Sequence, residues 1–150
     1  MVLSAFFAFL HFMAVFGIFA TVFLEWQTMS PAPTWAEARR IQRCDRMYGL
    51  FAVVVLVVGF LRVVYFEKGV AFYRASPFFH VKLALFILAG LLSIYPTVRF
   101  IKWRAHTRQG LAPVVPEAEY RRIMLLLRAQ LLLLLAVAAS ASLMARGVGT

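Results

Sequence analysis

Residues 2–24, 47–66, 78–101 and 123–145 form four apolar runs. Each is about 20 residues or longer, enough to cross the ~30 Å hydrocarbon layer of a bilayer as one helix. Inside lipid every backbone N–H and C=O must find its partner within the segment, so runs of this kind fold as helices. They occupy more than half of the 150 residues, which leaves short connections and no room for a separate soluble domain. The expectation is an all-α integral membrane four-helix bundle in one domain, with helices over about 2–25, 35–66, 77–101 and 121–146 and the lipid bilayer as its first partner. The first run carries no Lys or Arg ahead of it and is too long for the apolar core of a cleaved leader, so it reads as a retained helix.

The charge is formally +10. Its placement points to the membrane surface rather than to nucleic acid, because the basic residues stand just outside the apolar runs and no nucleic-acid-binding signature accompanies them. Arg39, Arg40, Arg43 and Arg46 lie between the first two runs, and Lys102, Arg104, Arg108, Arg121 and Arg122 between the last two. The other loop has only Lys68 and Arg74, and the tail only Arg146. By the positive-inside rule the first and third loops are cytoplasmic and both termini are non-cytoplasmic, in a multi-pass protein of a bacterial cytoplasmic (inner) membrane. Cys44 is the single cysteine, so an internal disulfide and a Cys-rich metal site are excluded.

Local signals refine the spans. Thr34-Trp35-Ala36-Glu37 has capping-box spacing and predicts a second helix that begins near Trp35, as a basic extension below the membrane. Ser76-Pro77 predicts an N-cap followed by proline at the first helical position. Pro96 predicts a kink or an end of the third helix, and Val70-Ala71-Phe72-Tyr73 an interfacial turn.

Helical periodicity then sorts the polar residues. Ser4, Ala8, His11, Ala14, Thr21 and Glu25 share one face of the first helix, while Phe9, Phe12, Phe16, Phe19 and Phe23 share another. That aromatic face suits lipid and would equally serve a homodimer. Asp45, Tyr48, Ala52, Gly59 and Arg62 align on the second helix, and Lys82, Phe86, Ala89, Gly90, Ser93 and Thr97 on the third. On the fourth, Arg121, Arg128, Ala139, Ser142 and Arg146 align. Ionisable residues within a membrane normally face the bundle interior and small ones allow close approach, so these four stripes predict a compact bundle with a polar interior.

His11, Arg62 and Lys82 fall in the outer half; Glu25, Asp45, Tyr48, Thr97 and Arg128 lie towards the cytoplasm. Glu25 and Arg128 read as a bundle-locking ion pair ahead of a proton pathway, and Asp45 as a cap or tether where the second helix enters. Arg62 can snorkel to the interface. Lys82, among small residues, calls for a partner such as a ligand's carboxylate. His11 has no acidic residue of the chain at its depth, and it is read either as a hydrogen-bonded interior residue or as a ligand. His80 points away from Lys82, towards the interface.

Leu-His11-Phe together with Phe-Phe-His80-Val-Lys82-Leu-Ala-Leu resembles the HemJ-type protoporphyrinogen oxidases. That resemblance implies haem b between the first and third helices, with His11 an axial ligand, His80 or Lys82 the second, and Arg62 a propionate contact. Over nearly its whole length the chain is similar to a bacterial family of four-helix membrane proteins that carries no assigned function, through Asp45…Tyr48-Gly49, Gly59…Arg62, Tyr65-Phe66-Glu67-Lys68-Gly69, Lys82-Leu-Ala-Leu and Leu92-Ser93-Ile94-Tyr95-Pro96-Thr97. Two functional expectations follow: a haem b-binding membrane redox protein, HemJ-like and acting on a porphyrinogen or a quinone, or a non-enzymatic small subunit or assembly factor whose polar stripe only specifies helix packing. A minimal transporter is the weaker third, since the sequence shows no inverted repeat.

Overall fold

The computed structural model describes residues 1–66 and 70–148. Glu67 and Lys68, which entered the motif and the topology count above, lie with Gly69 outside them. Every regular element among the described residues is helical: α1 (Val2–Thr28), α2 (Trp35–Leu61), α3 (Val70–Ala75), α4 (Pro77–Lys102), α5 (Arg104–Thr107) and α6 (Glu117–Ala145). A π-helical turn, Arg62–Phe66, continues α2. Among the described residues four helices are long and apolar enough to cross a membrane: α1, α2 with its π turn, α4 together with α5, and α6.

The capping box is present, since Thr34 Oγ1 accepts from Glu37 N at 3.1 Å and Glu37 Oε1 accepts from Thr34 N at 3.4 Å. Pro77 occupies the first turn of α4. Two local expectations need correction. Residues 70–73 belong to the short helix α3, which buries Tyr73, rather than to a turn. Of the kink or end expected at Pro96, the end does not occur, since helix α4 runs on to Lys102. The proline side chain is buried there, and burial against neighbouring helices supports a helix across a proline in lipid.

Packing is strongest within two hairpins, α1 with α2 and α4 with α6, and α1 also packs on α6. Helices α2 and α4 touch only over a short stretch, and α1 and α4 face each other diagonally without direct backbone approach. Gly17 lets α1 and α2 close up, because a Cβ there would stand 2.6 Å from the Phe51 ring.

Two apolar clusters fill the interior. One, at the end that carries the 29–34 and 103–116 connections (the basic end), contains Val22, Met29, Ala38, Ile41, Phe100, Trp103, Ile123 and Leu127. The other is a mid-bundle layer of Ala14, Ile18 and Val55, with Phe51, Phe86 and Leu134 packed on it. Polar side chains lie on either side of that layer. The expected polar interior is therefore divided rather than continuous.

The outward face of α1 is the expected aromatic stripe, with Phe9, Phe12, Phe16, Phe19 and Phe23 all exposed. Helix α6 is rotated from expectation: Arg121, Arg128, Ala139, Ser142 and Arg146 are exposed, while Ile123, Leu127, Gln130 and Ser140 face inward.

Candidate functional site

The basic end holds a buried acidic centre. Glu25 lies in the last turns of α1, in register with Ala14, Ile18 and Thr21 on the inward face, and is 2% exposed. Asp45, half-buried three turns into α2, comes within hydrogen-bond reach of the Glu25 carboxyl and accepts from Thr97 Oγ1 of α4 at 3.0 Å. One turn further along α2, the Tyr48 hydroxyl meets Ser93 of α4. Three helices thus meet through side chains that the sequence had placed on separate stripes. Among the described residues Glu25 Oε1 has no hydrogen-bond partner although it is buried.

The expected partner of Glu25 is elsewhere. Arg128 is exposed on the outer face of α6, and the inward position beside it is taken by Leu127. The Glu25–Arg128 ion pair does not form in this structure, and Asp45 is the ionisable group that Glu25 meets. A long guanidinium side chain on the lipid face can snorkel towards the head groups, which frees the interior of α6 for apolar residues. Among the described residues the ion pairs of α6 are instead Arg121–Glu117 at 2.6 Å and Glu119–Arg99 at 3.7 Å, both towards its N-terminus.

Sequence reasoning passed over Gln42. It is 6% exposed, donates from Nε2 to Phe100 O at 2.9 Å, and accepts from Thr107 Oγ1 at 3.3 Å. Trp35 Nε1 adds a bond to Thr107 O at 2.8 Å, so the basic extension of α2 is fastened to the α4–α5 corner. The available signal was the spacing Ala38, Ile41, Gln42, which puts the amide on the buried face of α2.

At the other end of the bundle, the His11 ring sits against α2, with Cε1 3.3 Å from where a Gly59 Cβ would be. Arg62, three residues on, lies over the Phe12 ring at 5.7 Å. Lys82 is half-buried on α4, close enough to Arg62 for their charges to interact, with Nζ 5.3 Å from the Phe79 ring centre. His11, Arg62 and Lys82 therefore belong to one region. His80 does not: it is exposed, and its Nε2 donates to Arg74 O at 2.9 Å. Among the described residues no group of three His, Cys, Asp or Glu is placed to hold a metal ion.

No curated protein and no solved structure matches the chain at a significant level. A family of predicted membrane proteins (DUF2214) matches residues 3–149. With the match covering all but the ends of the chain and four membrane-length helices present, this protein belongs to that family of multi-pass membrane proteins, to which no function is attached.

Proposed function

We propose that this is a proton-exchanging membrane protein, in which Glu25 and Asp45 hold one proton between them and trade it with the aqueous phase at the basic end. The observation that carries the reading is a 2%-exposed carboxyl facing a second carboxyl, with no cationic side chain paired with it among the described residues. Two ionised carboxylates offer acceptors only, so a hydrogen bond between them requires a proton. Without one, two like charges about 4 Å apart repel by roughly 4 kcal/mol even at an effective dielectric near 20. A hard divalent cation would take about six oxygen ligands, which this pair and its neighbours do not assemble. Intramembrane carboxyls of this kind mark proton relays.

The groove lined by Asp45 and Thr97, between α2 and α4, gives the pair its approach from the basic end. The Ala14–Ile18–Val55 layer closes the route towards the other side, so the centre loads and unloads from one face instead of leaking protons across. By the placement of arginines that face is cytoplasmic.

A carbodiimide, which adds to carboxyl groups only when they carry a proton, tests this in native membranes. Labelling of Glu25 or Asp45 by the reagent, found by mass spectrometry and lost in the Glu25→Gln/Asp45→Asn variant, is the expected result. If neither carboxyl is labelled in a folded protein, the centre is a packing feature and the non-enzymatic subunit is the better reading.

A second reading rests on the convergence of His11, Arg62 and Lys82 in the other half, which supports haem b with His11 and Lys82 as ligands and Arg62 on a propionate. His80, bonded to Arg74 O, does not fit that set. Haem would supply one-electron chemistry there. Its test is a visible spectrum of the purified protein: a Soret band that His11→Ala removes or shifts supports haem, and a colourless protein from haem-replete cells overturns it.

A further inference from the structure

The basic end carries a second feature, which adjoins the mouth of the acidic centre. Arg39 and Arg46 of α2, Arg104 of α5 and Arg108 just beyond α5 surround Gln42 and line a recess of about 180 Å³. Among the described residues none of the four is ion-paired; the carboxylates nearest the basic end are engaged elsewhere, Asp45 with Thr97 and Glu25, and Glu37 in the α2 cap. The Gln42 amide is committed to Phe100 O and Thr107, so the recess is walled by guanidinium groups around a fixed floor.

Arg46, Arg104 and Gln42 also line the adjoining groove of about 230 Å³, which passes Asp45 and Thr97, the mouth of the acidic centre, and runs along the membrane-spanning part of α2 and α4 by Gly49, Phe100 and Ile101. The groove is open beside Gly49, where a Cβ would meet nothing within 4 Å. A cationic recess at head-group level continued by an apolar slot at acyl-chain level matches one kind of molecule. From this continuity and charge complementarity we infer that the cleft between α2 and α4 is a binding site for an anionic phospholipid, its phosphate held by Arg39, Arg46, Arg104 and Arg108 and one acyl chain laid in the groove beside Gly49. Guanidinium groups grip phosphate oxygens in pairs, and basic pockets between membrane helices on the cytoplasmic side are suited to such head groups. A free phosphate would use the recess alone and leave the apolar length of the groove beyond Asp45 unfilled.

The test uses the full chain, delipidated in neutral detergent and titrated with phosphatidylglycerol, with phosphatidylcholine, or with inorganic phosphate. Binding is read by native mass spectrometry and by the shift in thermal unfolding. Phosphatidylglycerol should bind and raise the unfolding temperature, with phosphatidylcholine and phosphate at equal concentration doing neither. Arg46→Gln/Arg104→Gln should weaken the lipid about tenfold or more, while Lys102→Gln/Arg122→Gln, which removes two exposed charges of the same region outside the recess, should leave it unchanged. Circular dichroism checks that both variants fold, and if the first does not, the single Arg104→Gln is measured in its place. Equal binding of the two lipids, equal loss in the two variants, or full reproduction of the effect by inorganic phosphate each overturns the inference.

Discussion

Substituting Gly17 by alanine probes the close approach on which the α1–α2 hairpin depends. The added Cβ would lie 2.6 Å from Phe51 Cδ2 and Cε2, and carbon atoms in good contact stand about 3.5–4.0 Å apart, so the two helices or the ring must give by about 1 Å. The ring has little freedom, because it packs on the Ala14–Ile18–Val55 layer. Overpacking of that kind costs about 1–3 kcal/mol. Gly49 and Gly90 serve as controls: a Cβ at either meets nothing within 4 Å, so alanine there should be neutral or stabilising by up to about 1 kcal/mol. Unfolding in mixed micelles with increasing SDS, followed by circular dichroism, measures all three. Phe51→Leu in the Gly17→Ala background should recover part of the loss, a coupling expected only for side chains in contact. If Gly17→Ala unfolds with Gly49→Ala, the interface is not as close as described and the register of α1 on α2 is wrong.

Other perturbations follow from the same structure. Thr34→Ala removes the cap from α2 and should cost about 1 kcal/mol in the same unfolding assay. Gln42→Leu strands Phe100 O and the Thr107 hydroxyl and should cost about 1–3 kcal/mol, with protease sensitivity rising first in the 103–116 connection. Arg128→Gln should lie within about 0.5 kcal/mol of wild type, and exchanging Glu25 with Arg128 should be no milder than Glu25→Arg alone. Reporter fusions at residue 108 should score cytoplasmic and fusions after Thr150 periplasmic; the reverse would place the acidic centre on the opposite side of the membrane.

The spans were readable because lipid makes length and hydrophobicity decisive: few physical solutions exist for a run such as 2–24 other than a crossing helix. The capping box was readable for a different reason, its chemistry being local to four residues. The inward faces of α1 and α2 showed because polar or small residues alternate there with Phe, Val and Leu. Helix α6 has no such contrast. Its run from Leu125 to Leu135 is interrupted only by Arg128, Ala129 and Gln130, and the eye-catching arginine sat on the face that turned outward, with the quieter Gln130 inside. That one rotation is why Glu25 was paired with Arg128 instead of Asp45. The carboxyl contact itself depends on how α1 and α2 cross, and the periodicity of each helix taken alone carries no information about that. Trp35 and Gln42 binding the α4–α5 corner belong to the same class, as contacts between residues about 60 to 70 positions apart.

The central claim is that Glu25 and Asp45 share a proton inside the bundle. Infrared spectroscopy of the full chain in lipid nanodiscs at neutral pH measures this directly, since a protonated carboxylic acid has a C=O stretch distinct from the two carboxylate bands. The account predicts such a carbonyl band in the wild-type protein, with the small downshift on deuteration that marks an exchangeable acid proton. It should vanish in the Glu25→Gln/Asp45→Asn protein and move in either single variant, because the remaining carboxyl changes its hydrogen-bond partner. A spectrum that shows only carboxylate bands at neutral pH, unaltered above the carboxylate region by either substitution, would contradict it.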